Sequence, residues 1–169
     1  MKKLCLLAAL ASLAACTTDI HAKDETIRPP KVPFGHYSSV VIKPLVVAHT
    51  EGDSSDAEAA ERIGAELKQC LEKALPSKGG SSQLIIEPKI SDLKKVNTSE
   101  RILMGSLAGS SAVLLNVKYT DAATRAVIAD PTFYAKTAAM SGAWTFGSTD
   151  NAMLTRIATT ACDYTVKYR

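Results

Sequence analysis

The chain has 169 residues, is 46% apolar and 22% charged, and carries a formal charge of +3. That composition describes one folded domain with a real core, not a disordered or collagen-like chain. The charge is too small to form an electrostatic footprint for nucleic acid.

Met1-Lys2-Lys3 is a basic start, and Leu4 to Leu13 is apolar apart from Ser12. Ala14 and Ala15 follow as small residues. This three-part layout is that of a secretory signal, and it is shorter than the roughly 20 apolar residues a permanent membrane span needs. The tetrapeptide Leu13-Ala14-Ala15-Cys16 resembles the lipobox of bacterial lipoproteins, in which the cysteine is acylated and becomes the first residue. The resemblance implies a signal peptide over 1–15, cleavage before Cys16 and attachment to a membrane through lipid on Cys16. Each buried CH₂ of such lipid contributes about 0.8 kcal/mol, and stable anchoring needs two signals, such as two acyl chains. Thr17, and not aspartate, follows the cysteine, which in such signals implies sorting to the outer membrane with the domain facing the periplasm.

Cleavage removes Lys2 and Lys3, leaving 18 basic against 17 acidic residues and a formal charge of +1. Residues 17–36 are polar, hold three prolines and show no apolar period, so 16–36 reads as a lipidated, flexible tether. The folded domain is expected over 37–169. Cys5 leaves with the signal and Cys16 takes lipid, so Cys70 and Cys162 remain in an oxidising compartment. Both fall on predicted helices. If those helices pack side by side, a disulfide between them is natural; otherwise the two are small buried thiols.

Residues 38–47 (SSVVIKPLVV) are rich in β-branched residues and predict a first strand, with an edge or bend at Pro44. Ser55 stands three residues before Glu58, the capping-box spacing, and Ala60, Ile63, Leu67, Cys70, Leu71 and Ala74 repeat at helical spacing. Pro76 and Gly79-Gly80 end that helix. A second strand is expected within 83–96, bent or peripheral at Pro88. Val113, Leu115, Val117 and Tyr119 alternate with Leu114, Asn116, Lys118 and Thr120 as a third strand. A fourth lies near 125–137, with a bulge or edge at Pro131. The last helix begins near Ser148 and buries Met153, Ile157, Ala161, Tyr164 and Tyr168. The order β-α-β-β-β-α predicts an α+β fold, two helices on a mostly antiparallel sheet of about four strands.

Strand Val40–Leu45, the helix ending near Leu75, Arg101 before Gly105, Gly109 before strand Val113–Asp121 and the closing helix together resemble a family of bacterial envelope proteins known only as a domain of unknown function. Members commonly carry Asp-x-x-Thr-Gly after the third strand. Here the run is Asp121-Ala122-Ala123-Thr124-Arg125, with arginine where glycine is usual. The resemblance implies a fold similar to the N-terminal domain of the translocation protein TolB and to the periplasmic part of the curli-secretion lipoprotein, and a role in binding other proteins without catalysis.

Catalytic equipment is sparse. The three histidines are His21 and His36 in the tether and His49 after the first strand. His49 with Glu51 and Asp53 could hold a metal or relay a proton in a hydrolytic enzyme, but reads more simply as a solvated loop histidine. Acidic residues Glu51, Asp53, Asp56, Glu58 and Glu61 lack the ligand alternation and central glycine of a calcium loop, and suit the entry of a helix instead. The run Met104 to Ser111 has no Gly-Lys-Ser/Thr phosphate loop, and no serine sits in a Gly-x-Ser-x-Gly elbow. No cofactor, catalytic residue or metal site is implied. Trp144 and Phe146 alternate with Thr145, so both rings can project one way. They are either core or an aromatic anchor for a partner, since tryptophan is enriched at interface hot spots. The expected partners are the membrane, through Cys16, and another envelope protein.

Overall fold

A computed structural model describes residues 25–48, 54–94, 110–137 and 148–169. Two helices, α1 (Ser54–Ala74) and α2 (Ser148–Lys167), pack on one face of a six-stranded mixed sheet, an α+β architecture. The strands are β1 (Ser39–Ile42), β2 (Val46–Val47), β3 (Gln83–Lys94), β4 (Ala112–Asp121), β5 (Val127–Ala129) and β6 (Thr132–Lys136).

The centre of the sheet is the antiparallel pair β3–β4, running in register from Leu84↔Asp121 to Lys94↔Ala112. In β3 the residues Leu84, Ile86 and Ile90 are buried while Ile85, Glu87 and Lys89 are not. A bulge between Ile90 and Asp92 shifts the phase, so Leu93 resumes the core face. In β4 the same face carries Val113, Leu115, Val117 and Tyr119. Ala112 and Leu114 pack with Tyr134 on the opposite face. The predicted helical stripe is the observed one: Ala60, Ile63, Leu67, Leu71 and Ala74 of α1 are buried against Met153, Leu154, Ile157, Ala158 and Ala161 of α2 and the sheet.

The expected strand count is corrected: the sheet has six strands, not about four. It is mostly antiparallel, as expected, but mixed: β5 and β6 run antiparallel to β4, as β3 does, while β1 and β2 both run parallel to β3. Each predicted outer strand is split in two by proline chemistry. Val117 gives its N–H to the Pro131 carbonyl at 3.0 Å, and Pro131 has no N–H to return, so the ladder lapses between β5 and β6. Pro88, where a bent or peripheral strand is expected, lies in the central strand β3, paired with Val117, with the bulge two residues on. It is tolerated there because of which way it faces. The Ile86 carbonyl accepts from Lys43 and the Ile90 carbonyl from Ala48, both at 2.9 Å, so Pro88 between them turns its missing donor to the interruption at 43–45. Both outer strands therefore break along one line across the sheet.

Tight turns close the frame. Asp121 accepts from the Ala123 N–H, the Thr124 N–H and the Thr124 hydroxyl at 2.8–2.9 Å. These bonds, led by the Thr124 N–H, hold its carboxyl below the ordinary range. Arg125 adopts φ +62°, the left-handed region that glycine enters without steric cost. Gly80, at φ +143°, faces Ser38, whose hydroxyl and N–H clasp Ser82 at 3.0–3.1 Å.

Arg125→Gly should therefore stabilise the protein by about 0.5–1 kcal/mol in denaturant unfolding. Gly80→Ala should destabilise it by roughly 1–3 kcal/mol, because its Cβ would run into the Ser38 side chain.

Candidate functional site

Three features carry chemistry or contact: a helix-to-helix disulfide, an aromatic cluster, and the N-terminal segment laid along one sheet edge. Cys70 and Cys162 are joined, with Cα atoms 6.1 Å apart across a sequence separation of 92. Cys162 is buried on α2 and Cys70 half-buried on α1, so helix packing brings them together. Nearby, the Arg62 guanidinium reaches Glu66 at 2.9 Å and the Thr155 hydroxyl at 3.2 Å, a polar tie on the exposed side of the same helix pair.

The aromatic cluster is built from distant parts of the chain. Phe34, in a 3-10 turn over Phe34–His36, is fully buried and stacks on Tyr119 of β4 with ring centroids 4.4 Å apart. Tyr164 of α2 sits 5.9 Å from Phe34 and 5.8 Å from Phe133 of β6. The Tyr119 hydroxyl bonds the Thr165 hydroxyl at 2.7 Å. Burial drives the Tyr119 phenol far above its ordinary value and pushes Tyr164 up to about 12. Tyr37 is raised too, by burial and then by the Asp121 charge.

Residues 25–31 form a strap on the β5–β6 edge. Thr26 and Thr132 exchange both main-chain hydrogen bonds at 2.9 Å, and Lys31 gives its N–H to Ile128 at 2.9 Å. The Tyr164 hydroxyl donates to the Arg28 carbonyl at 2.7 Å, and the Tyr134 N–H reaches the Glu25 carboxylate at 3.5 Å. Between the two anchor points the strap arches over a cavity of about 420 Å³, lined by Arg28, Pro29 and Lys31 against Val127 to Pro131. No side chain of 25–31 is buried, and Ile27 is 49% exposed. A net hydrogen bond contributes about 1 kcal/mol, and ordering one residue's backbone costs about as much. Without apolar burial the strap gains little, whereas Phe34 behind it is core. The chain from Glu25 to His36, expected as tether, is thus laid against the domain.

The opposite edge is formed by β1 and β2, which among the described residues have no strand on their outer side. Lys43 bonds β3 through its N–H, so the alternate residues Val40 and Ile42 turn their peptide groups outward. Beside it, the break at 43–45 and Gly64 of α1 border a groove of about 300 Å³.

Cys16, His21, His49, Glu51, Asp53, Arg101, Gly105, Gly109, Trp144 and Phe146 lie outside the described residues. His36 meets Tyr37 edge-on at 5.7 Å. Glu58 and Glu61 are exposed on α1. Among the described residues no group of three His, Cys, Asp or Glu side chains could hold a metal ion, and no helix is long and apolar enough to cross a membrane. Sequence reading missed Phe34 and the strap, and placed Tyr119 on its strand without its aromatic partners. The one signal was a large apolar ring in Pro33-Phe34-Gly35, inside an otherwise polar stretch.

No family model matches the chain, and no curated protein does. Several solved structures are similar. A PelC variant from Paraburkholderia phytofirmans, a dodecamer, is 11% identical, with a TM-score of 0.49 over 86% of this chain and 99% of its own. A Xanthomonas campestris protein of the DUF330 family is 12% identical, with a TM-score of 0.48 over 85% and 94%. A Chlamydia trachomatis protein described as hypothetical is 14% identical, with a TM-score of 0.43 over 77% and 99%. These likenesses concern the course of the backbone alone.

Reduction of the Cys70–Cys162 bond, or a Cys70→Ser/Cys162→Ser pair, should cost about 2–5 kcal/mol, measured by denaturant unfolding of the oxidised and reduced protein. A second expectation follows from the phenols. A tyrosine whose folded pKa is raised stabilises fully below its unfolded value of about 10 and loses that contribution as pH rises through the folded value. The thermal midpoint should therefore fall between about pH 10 and 12, and Tyr119→Phe should flatten the fall.

Proposed function

We propose that this protein is a non-catalytic accessory lipoprotein of the bacterial cell envelope, held on the outer membrane by lipid on Cys16 and binding another envelope protein from the periplasmic side. The observation that carries the reading is the placement of Leu13-Ala14-Ala15-Cys16 directly after a basic start and an apolar run. The Cys70–Cys162 disulfide supports it, because such bonds persist in oxidising compartments such as the periplasm. The sheet edges support the binding role: an extended partner segment can add to a strand edge through main-chain hydrogen bonds. Trp144 and Phe146 are the aromatic residues offered to that partner.

Cys16→Ala should move the protein from the membrane to the soluble fraction, read by fractionation and by loss of acyl mass. Continued membrane attachment of that variant would overturn the anchor. Trp144→Ala with Phe146→Ala should leave the thermal midpoint within a few degrees and abolish crosslinking to the partner in the native envelope. A large fall in the midpoint would place both rings in the core instead.

A further inference from the structure

The strap differs from the rest of the fold in how it is held. Thr26 and Lys31 are tied to β6 and β5 by main-chain bonds, and Arg28 by the Tyr164 hydroxyl, while every side chain between Glu25 and Lys31 stays out of the core. Immediately behind it, Phe34 is fully buried and its N–H bonds the Tyr168 carbonyl at 2.8 Å. The boundary between a weakly seated segment and a firmly seated one therefore falls within 32–33, beside Pro33. Pro29 lines the cavity over which the strap arches, and Pro30 follows it in the chain.

We propose that residues 25–31 are a displaceable guard on the β5–β6 edge, and that this edge is where an extended segment of the partner docks, antiparallel to β6. The occupant already seated shows what the edge accepts: an extended chain in antiparallel register, exchanging both hydrogen bonds with Thr132 and one with Ile128. The inference rests on the reading of the chain as an anchored binding module. Its added content is a coupling between docking and reach. With the strap seated, Thr26 is ten residues beyond Cys16, which spans at most about 35 Å. With the strap released, the first fixed point becomes Phe34, eighteen residues beyond Cys16, and the limit rises to about 60 Å. A partner strand that displaces the guard thus lets the domain stand farther from the membrane.

Three amides report on the guard, because each is bonded only through it: Thr26, Lys31 and Thr132. In hydrogen exchange on the full-length protein in detergent, they should exchange at least about a hundredfold faster than Val113 and Leu115 of β4. Exchange of all five at one common rate would show that the strap opens only when the whole domain unfolds, and would overturn the proposal. The second measurement uses a fluorescent peptide with the strap's own sequence, Glu25 to Val32, as probe. Thr26→Pro removes one bond of the guard and should raise the affinity for that peptide about tenfold over the unaltered protein, through a larger open fraction. Unchanged, weaker or undetectable binding to the variant would overturn the proposal. Neither measurement reads out the lipid or needs the partner, so a failure here is separable from a failure of the anchor or of the binding role.

Discussion

The stack of Phe34 on Tyr119 joins parts of the chain that no local pattern brings together. Phe34 comes from the segment before the first strand, Tyr119 from the central strand β4, and Tyr164 beside them from the last helix. The Tyr119 hydroxyl is satisfied by Thr165, so a polar atom enters the core without the cost of an unpaired donor. With Phe34 seated, the chain ahead of it lies along the β5–β6 edge, and Tyr164 meets it there through the Arg28 carbonyl. The ends of the chain are drawn together at the same place: Phe34 bonds the Tyr168 carbonyl, and the Arg169 guanidinium reaches the Ala74 carbonyl at the end of α1.

A second constraint runs across the sheet. Pro88 and Pro131 lie on either side of Val117, and Pro44 falls in the break of the outer strand next to Pro88. Each proline removes one donor, and the sheet accommodates all three by interrupting its outer strands where those donors would be needed. Short, broken outer strands are also poor templates for uncontrolled pairing. On one side the strap covers what remains; on the other, β1 and β2 turn few peptide groups outward.

These features bear on the proposed role. A protein that joins a membrane to a partner needs an attachment and a rigid body. The disulfide between α1 and α2 stiffens the layer behind the sheet, and the strap is where the proposed attachment would meet that body. Among the described residues the chemistry is that of packing and pairing. The raised phenols are explained by burial in the aromatic cluster, and the lowered Asp121 carboxyl by the turn it organises.

The α1 stripe and the β4 alternation were legible in the sequence because they are local periodicities: burial on one face imposes a repeat of about 3.6 or of 2 residues. The two-helix α+β class followed from their order. The proposed address and anchor rest likewise on contiguous residues, Met1 to Cys16. Tertiary structure alone decided what depends on distant neighbours. Pro88 reads as a bend or an edge until its missing donor is seen to face a gap. Residues 25–31 read as tether, because a segment that bonds through its main chain leaves no mark on side-chain pattern. Cys70 and Cys162 are the pair left once Cys5 and Cys16 are set aside, but only the packing of α1 on α2 brings their Cα atoms to 6.1 Å. Sequence periodicity records which face is buried, and only the folded chain records against what.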